Sequence, residues 1–234
     1  MKRIVSALLG LILPTQAQPQ TPDDPDLRKL RSMTQLEAEA VPTIAHLPAI
    51  ESETESTRRS EREVVERTIA LAIVAVKGET GDAGLANSLV RQFNADAFFT
   101  PNERAFMADG DPEQQDRVNF TWRYEGVNVL LWALGIFDDL PRPEAICDVP
   151  RIAATLRDLG TNGLKKRAKL RPQRQIIDAA DLIYRYDWAV VNARIKGEAP
   201  PSDLDGSVVQ ERHHALNWLI GYQDQAWDDV STDT

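Results

Sequence analysis

The chain has 234 residues, of which 42% are hydrophobic, so it is long enough and apolar enough to bury one core of ordinary size. Its net charge of -9 disfavours nucleic acid and anionic membrane surfaces as partners, because both would repel it on average. A single cysteine, Cys147, excludes an intramolecular disulfide, so stability must come from a packed core.

The first residues have the composition of an export signal. Lys2 and Arg3 precede an apolar run at 4–13, and residues 15–17 (Thr-Gln-Ala) give a small-x-small cleavage pattern. About twenty apolar residues are needed to cross a bilayer as a helix, and this run is much shorter. We expect residues 1–17 to be a signal peptide cleaved after Ala17. The mature protein is then periplasmic or secreted, with no membrane insertion after the leader is removed.

Residues 18–57 are rich in Pro, Thr and Glu. Five prolines interrupt this stretch and prevent one long packed element. Within it, residues 27–40 have leucines and charges spaced for a short amphipathic helix. The composition therefore predicts a flexible linker, with this one short helix, between the leader and the folded domain at 58–234.

The first helix of the folded domain is predicted to begin after Ser60. Ser60 and Glu63 form an S-x-x-E capping box, and the helix is expected to run to Lys77 and stop at Gly78. No run in the sequence alternates as a half-buried strand would. The sequence predicts an all-α fold, a single irregular multi-helix bundle preceded by a signal peptide and a flexible N-terminal segment. Further helices are expected at 83–96, 101–108, 112–136, 150–159, 172–196 and 207–222.

The helix predicted at 112–136 is apolar nearly all round. Glu125 falls in a narrow polar stripe beside Trp132, which indicates a carboxylate held away from bulk water. Desolvation disfavours such a charge unless a cation or several donors stabilise it. This environment is typical of a general acid and equally of a structural ion pair.

Charged side chains form one stripe on the helix predicted at 172–196. Arg174 and Asp178 are four residues apart, and so are Asp181 and Arg185, which predicts a ladder of ion pairs on the helix surface. The alternative is a carboxylate pair, Asp178 and Asp181, that faces a cleft. We favour the ladder, because each acid has a base within reach on its own helix.

Arg212 is out of place on the last predicted helix. A helical wheel puts it among Val208, Leu216 and Leu219, on the face that packs inward. A buried guanidinium without a partner is very unfavourable, and its planar fork prefers a two-point contact with a carboxylate. We therefore predict that Arg212 pairs with Glu125 or Asp187.

Two histidines share the last helix with Arg212. His213 and Asn217 fall on the opposite, polar side of the wheel, and His214 lies between the two sides. Glu211 and His214 have the E-x-x-H spacing that di-iron bundles use in two copies, but only one copy occurs here. A pair of surface histidines is the favoured interpretation, and we expect no metal and no other cofactor.

Common catalytic motifs are absent from the sequence. It contains no G-x-S-x-G elbow, no Gly-rich phosphate loop and no H-E-x-x-H. Cys147 lies between two prolines, in a stretch typical of a loop, with no histidine near it in the sequence. We interpret it as a small packing residue.

Four stretches of the domain carry a family resemblance. They are SEREVVERTIALAIV, WRYEGVNVLLWALG, RQIIDAADLIYRYDWAVVNA, and ERHHALNWL with WDDVSTDT, in this order. Together they resemble a bacterial family called domain of unknown function 4272 (DUF4272), over about residues 58–234. The resemblance implies a helical domain of unassigned activity and carries over no site residue. Members of the family look mostly cytoplasmic, so the leader is a departure from it.

Two hypotheses about function follow. In the first, which we favour, the protein is a binding or protein-interaction module whose aromatic and acidic surface engages a protein partner. Alternatively, Trp227 anchors the C-terminal tail to the bundle, and no exposed contact is left there. The candidate surface consists of His213, His214, Asn217, Trp227, Asp228 and Asp229.

The second hypothesis is a hydrolase with carboxylate general acid and base chemistry. Glu125 would be the shielded acid, and Asp178 or Asp181 the base. This mechanism requires a pocket between the polar stripes of the three helices. The candidate polar cluster consists of Glu125, Asp178, Asp181, Arg185, Asp187 and Arg212.

Overall fold

The computed structural model describes residues 24–234, and the predicted signal peptide lies outside them. The predicted all-α class is confirmed, since this range contains helices and no strand. The helices are α1 (Pro25–Ala38), α2 (Glu61–Thr80), α3 (Ala83–Phe93), α4 (Pro101–Ala108), α5 (Gln114–Thr121), α6 (Arg123–Ala133), α7 (Val149–Arg167), α8 (Gln173–Lys196) and α9 (Gly206–Ile220), followed by 3-10 turns at Tyr222–Asp224 and Trp227–Asp229.

Helix α2 is the apolar centre of one half of the bundle. It begins with the predicted capping box, in which the Glu63 N–H donates to Ser60 Oγ and the Glu63 carboxylate accepts the Ser60 N–H. It continues past the predicted stop at Gly78 and ends before Gly81, which has a φ of 68°. Gly78 instead permits close packing, because a Cβ there would lie 2.6 Å from the carbonyl oxygen of Arg117 on α5.

The other half of the bundle is organised around α9. Helix α8 packs along α9, and α6 packs against α9 and also against α2. Both α2 and α6 are buried over most of their circumference, which fits their nearly continuous apolar sequence. Since α9 has neighbours on more than one side, its polar side as well as its apolar side is covered.

Several predicted helix limits are corrected. The helix expected at 112–136 is divided at Trp122 into α5 and α6. The Thr121 hydroxyl donates to the Arg117 carbonyl one turn earlier, a contact that bends helices. The helix expected at 150–159 continues to Arg167 as α7, beyond a kink at Gly160. Helices α3 and α9 end slightly before their predicted limits, at left-handed caps.

Residues 24–57 belong to the folded domain, which corrects the expected flexible linker over this part of 18–57. Helix α1 packs on α8, and Arg28, only 1% exposed, donates to the carbonyl oxygens of Ile50 (2.8 Å) and Glu51 (3.0 Å). Leu36 on α1 is also fully buried. A few apolar anchors and charge-assisted hydrogen bonds thus hold a Pro-rich segment whose composition is typical of a linker.

Within residues 24–234, no helix combines the length and the apolar character that a membrane span requires.

Candidate functional site

The predicted pairing of Arg212 with Glu125 is confirmed. Arg212 Nε donates to Glu125 Oε2 at 3.0 Å, and both side chains are almost completely buried between α6 and α9. The expected two-point contact does not occur. Arg212 Nη1 donates instead to the carbonyl of Pro141, and the other Glu125 oxygen accepts the N–H of Cys147. The pair therefore ties the loop between α6 and α7 to the core.

Cys147 lies in this loop, as predicted, and is partly buried. Burial raises the pKa of its thiol, and the nearby Glu125 carboxylate raises it further. The thiol is therefore protonated at neutral pH. This agrees with a packing role and opposes a nucleophilic one.

Asp187, the other partner proposed for Arg212, binds His213 instead. Its Oδ2 lies 2.9 Å from His213 Nδ1, and His213 Nε2 lies 3.1 Å from Asn217 Nδ2. Asn217 also donates to the carbonyl of Ser231 at 2.8 Å. His213 is 1% exposed and Asn217 3%, so the interpretation of His213 as a surface histidine is wrong. Helix α8 and the C-terminal tail cover the polar side of α9 where these residues lie.

The pair of Asp181 and Arg185 in the predicted ladder is formed, but it is not on the surface. Arg185 makes a two-point contact with Asp181, at 3.0 and 2.6 Å, and both side chains are buried. Asp178 contacts α1, 3.1 Å from Arg31 Nη2 and 3.4 Å from Arg28 Nε, and stays partly exposed. The stripe predicted on the surface of α8 is therefore buried at Asp181 and Arg185.

The three carboxylates proposed for a hydrolase are each held in an ion pair, with different arginines. Glu125 is bound by Arg212, Asp181 by Arg185, and Asp178 by the arginines of α1. None of these three carboxylates lines any of five clefts found among residues 24–234.

Trp227 is docked in the bundle, which favours the anchoring alternative for the tail. It is 4% exposed, and its ring centroid lies 5.5 Å from that of Trp218 and 4.6 Å from that of His214. The indole packs against Gly126 on α6, where a Cβ would lie in ordinary van der Waals contact with the ring, at 3.5 Å. Of the proposed interaction surface, His213, Asn217 and Trp227 are thus buried. His214 and Asp228 are partly exposed, and Asp229 is exposed.

The tail borders a cleft of about 420 Å³ between α4, α5 and Trp227, which we call the acidic cleft. Phe106 and Phe120 stack at its side with ring centroids 3.9 Å apart. Arg123 contributes the single guanidinium of the lining. Four carboxylates line it, those of Glu103, Asp109, Asp116 and Asp228.

Glu103 is the most buried of these carboxylates, at 2% exposed. Its Oε2 accepts from Arg67 and from the Thr100 N–H, whereas Oε1 has no hydrogen-bond partner in the described part of the chain. Sequence reasoning missed this pair, although two signals for it were present. Arg67 is a charge on the buried side of α2, and Thr100 and Glu103 form a second capping box.

His214 is the neutral histidine of the acidic cleft. Its Nε2–H donates to the carbonyl of Trp227 at 3.0 Å, so Nδ1 is left as an acceptor. Burial lowers the pKa of His214 to about 4, and Arg123 contributes to this shift. Arg123 itself binds Glu211 at 2.8 Å. Burial raises the pKa of Glu211.

We expect His214 to make the protein less stable as the pH falls. The pKa of a histidine in the unfolded chain is about 6.5, so between about pH 6.5 and pH 4 the unfolded state takes up a proton that folded His214 does not. This part of the stability is complete above pH 6.5 and is lost toward pH 4, by about 3 kcal/mol at most. The raised pKa of Glu211 acts in the opposite direction.

Urea unfolding of the parent and of His214→Gln across this pH range measures the contribution. Glutamine keeps a donor for the Trp227 carbonyl but does not titrate. The free-energy advantage of the parent over the variant should shrink as the pH falls. Parallel pH profiles for the two proteins would show that the folded histidine titrates normally.

No group of three or more His, Cys, Asp or Glu side chains among residues 24–234 is placed to hold a metal ion.

Residues 28–230 match the model of a family described as a domain of unknown function, DUF4272. The match covers the bundle, α1 included from Arg28 onward. No curated protein and no solved structure matches the chain.

Proposed function

Because the chain belongs to the DUF4272 family, whose description assigns no activity, we propose from its own geometry that the protein is a binding module. Its ligand is a basic segment of a partner protein, held in the acidic cleft. The observation that supports this proposal is the imbalance of charge in the cleft. Four carboxylates line it, of which Glu103 is paired with Arg67, and the one guanidinium of the lining, Arg123, is bound to Glu211, so Asp109, Asp116 and Asp228 have no ion pair within residues 24–234.

The rim of the acidic cleft is free to receive positive charge. Asp109 and Asp116 are exposed, and neither makes an ion pair with another residue of the described chain, although the buried Lys77 donates to the backbone carbonyl of Asp109 at 2.6 Å. Asp228 accepts the Asn102 N–H at 3.0 Å. Carboxylates that have no cation of their own attract lysine and arginine side chains of a partner and steer its approach.

The interior of the cleft supplies shape and apolar contact. Phe106, Phe120 and Trp227 offer aromatic surface, on which the stems of lysine or arginine side chains can lie. His214 is neutral at pH 7 and keeps a ring nitrogen as an acceptor. Glu103 Oε1 is a further acceptor without a partner among residues 24–234. Together these groups favour a donor-rich, cationic ligand over an anionic one.

The test is the binding of a labelled peptide of alternating lysine and leucine, measured by fluorescence anisotropy. We expect Asp109→Asn with Asp116→Asn to weaken binding about tenfold or more, because two rim charges are lost. The control, Asp203→Asn with Glu198→Gln, removes the same charge from exposed residues that do not line the cleft. Equal losses in the two double variants would show attraction by net charge alone, which contradicts a cleft site.

A hydrolase with Glu125 as acid and Asp178 or Asp181 as base remains a hypothesis without a supporting observation. Each of these carboxylates is held in an ion pair, Glu125 by Arg212, Asp181 by Arg185 and Asp178 by Arg28 and Arg31.

We also propose that the protein is exported to the periplasm or secreted. The supporting features are Lys2 and Arg3, the apolar run at 4–13 and the cleavage pattern that ends at Ala17. Mass spectrometry of the protein from an exported cell fraction tests this proposal. A mass that lacks residues 1–17 agrees with export, and a full-length mass confined to the cytoplasm contradicts it.

A further inference from the structure

A second, smaller pocket lies on the other side of α9. It has a volume of about 150 Å³ and shares no lining residue with the acidic cleft. Residues 48–50 close one side of it. We call it the tyrosine pocket and define it by Tyr184, Tyr222, His213, Asn217, Glu51 and Asp233.

Asn217, which lines this pocket, has an acceptor without a partner among residues 24–234. Its amide nitrogen is used twice, toward His213 Nε2 at 3.1 Å and toward the Ser231 carbonyl at 2.8 Å. Its Oδ1 has no hydrogen-bond partner among residues 24–234, although the side chain is 97% buried. A buried carbonyl oxygen without a donor is unfavourable, so this position is one that a ligand donor would stabilise.

The surrounding network fixes which atom of the Asn217 amide is unpaired. Asp187 accepts the Nδ1–H of His213, which leaves His213 Nε2 as an acceptor that must face the nitrogen of Asn217. If the amide were turned over, its oxygen would face the Ser231 carbonyl and no hydrogen bond could form there. The unpaired group, Asn217 Oδ1, is therefore an acceptor, and a hydrogen-bond donor would complement it.

The rest of the pocket offers acceptors and aromatic faces. Glu51 and Asp233 are exposed carboxylates at its opening. Burial, with smaller effects of Tyr222 and Asp181, raises the pKa of Tyr184, so its hydroxyl stays neutral. Arg185 lies 5.9 Å from the Tyr184 ring, but its charge is compensated by the two-point contact with Asp181. Tyrosine rings beside carboxylates are a favourable environment for a cation.

We infer that the tyrosine pocket binds a primary ammonium group on a short alkyl chain. An ammonium has three donors and no acceptor, which complements Asn217 Oδ1 and the two carboxylates. The volume corresponds to roughly five water molecules of the liquid, enough for a lysine side chain or a small free amine. An anionic group would meet two carboxylates and the unpaired oxygen of Asn217 at the same place.

The experiment uses n-butylammonium as the probe and 1-butanol as a neutral probe of similar size. The full-length protein is titrated with each, and the side-chain amide signal of Asn217 is followed by NMR. We expect n-butylammonium to shift this signal in a saturable manner and 1-butanol to leave it unchanged. No shift with n-butylammonium, or an equal shift with both probes, would overturn the inference.

Two variants test the site itself. Glu51→Gln with Asp233→Asn changes only exposed side chains, so the fold should persist, and we expect about tenfold weaker binding. Asn217→Leu removes the unpaired oxygen and should abolish binding in the folded protein. Asp109→Asn with Asp116→Asn, which impairs the acidic cleft, should leave n-butylammonium binding unchanged. An unaltered affinity in the Glu51 and Asp233 double variant would contradict the site.

A third probe, Nα-acetyl-lysine methylamide, distinguishes two sources of the ammonium group, a lysine side chain and a small free amine. Saturable binding of this probe at the pocket indicates a lysine side chain of a protein partner. Binding of n-butylammonium alone indicates a small free amine. Either result supports the ammonium site, and because the acidic cleft is tested with its own variants, the two proposals can fail separately.

Discussion

Replacing Arg212 by alanine is expected to lower the free energy of unfolding by about 3–5 kcal/mol. The reason is that Glu125, 1% exposed, would keep a buried charge with only the Cys147 N–H to stabilise it. The Pro141 carbonyl would lose a donor in the same variant. Urea unfolding followed by far-UV circular dichroism measures the loss.

Arg62→Ala is the matched control for Arg212→Ala. Arg62 makes an ion pair with Glu66 on the surface of α2, with 79% of its side chain exposed. Its removal should cost no more than about 0.5 kcal/mol, as is usual for exposed pairs. Substituting both members of the buried pair, as Arg212→Met with Glu125→Leu, should recover part of the stability, because no lone charge remains. An Arg212→Ala protein as stable as the parent would contradict the importance of the pair.

Replacing Trp227 by alanine is expected to cost about 3–5 kcal/mol, the usual effect of removing a buried tryptophan. The cavity would open between Gly126, His214 and Trp218, which contact the indole. The hydrogen bond from Asn217 to Ser231 in the tail would weaken as well, because the tail loses its anchor. The same unfolding experiment measures the change.

Limited proteolysis distinguishes a released tail from a general loss of stability. In Trp227→Ala, cleavage after residue 221 should appear under native conditions, before the bundle itself is cut. Trp227→Phe keeps an aromatic anchor and should have an intermediate stability. Asp229→Ala, at an exposed position in the same turn, should be close to neutral. A Trp227→Ala protein with parent stability would show that the tail is not docked in solution.

The sequence predicted those features that depend on local chemistry. The capping box at Ser60 and the proline at the first turn of α4 mark helix starts correctly, because these signals act within a few residues. The pairing of Arg212 with Glu125 was also predictable, since an arginine on an apolar helix face needs a carboxylate.

Features that depend on packing between distant segments were not predictable in the same way. His213 lies on the polar side of its helix, yet α8 and the tail cover that side. A helical wheel separates the two sides of α9 but does not show how many neighbours it has. The contact of Asp178 with Arg28 and Arg31 arises from α1, in a segment with the composition of a linker.

Candidate sites were the least predictable part. The acidic cleft joins α4, α5 and the tail, and its members are scattered from Asn102 to Asp228 in the sequence. The unpaired oxygens of Glu103 and Asn217 exist only because other groups occupy the neighbouring atoms. Unpaired acceptors of this kind arise from the three-dimensional arrangement, so a sequence pattern does not predict them.

Cys147 can report local opening of the loop between α6 and α7, because it lies within that loop. Its thiol is the only one in the chain, it stays protonated at neutral pH, and its backbone N–H is held by Glu125. A protonated, partly buried thiol reacts slowly with alkylating reagents. Faster alkylation in a variant therefore reports loosening of the loop that the buried pair holds in place, and mass spectrometry can count the modified molecules without an introduced label.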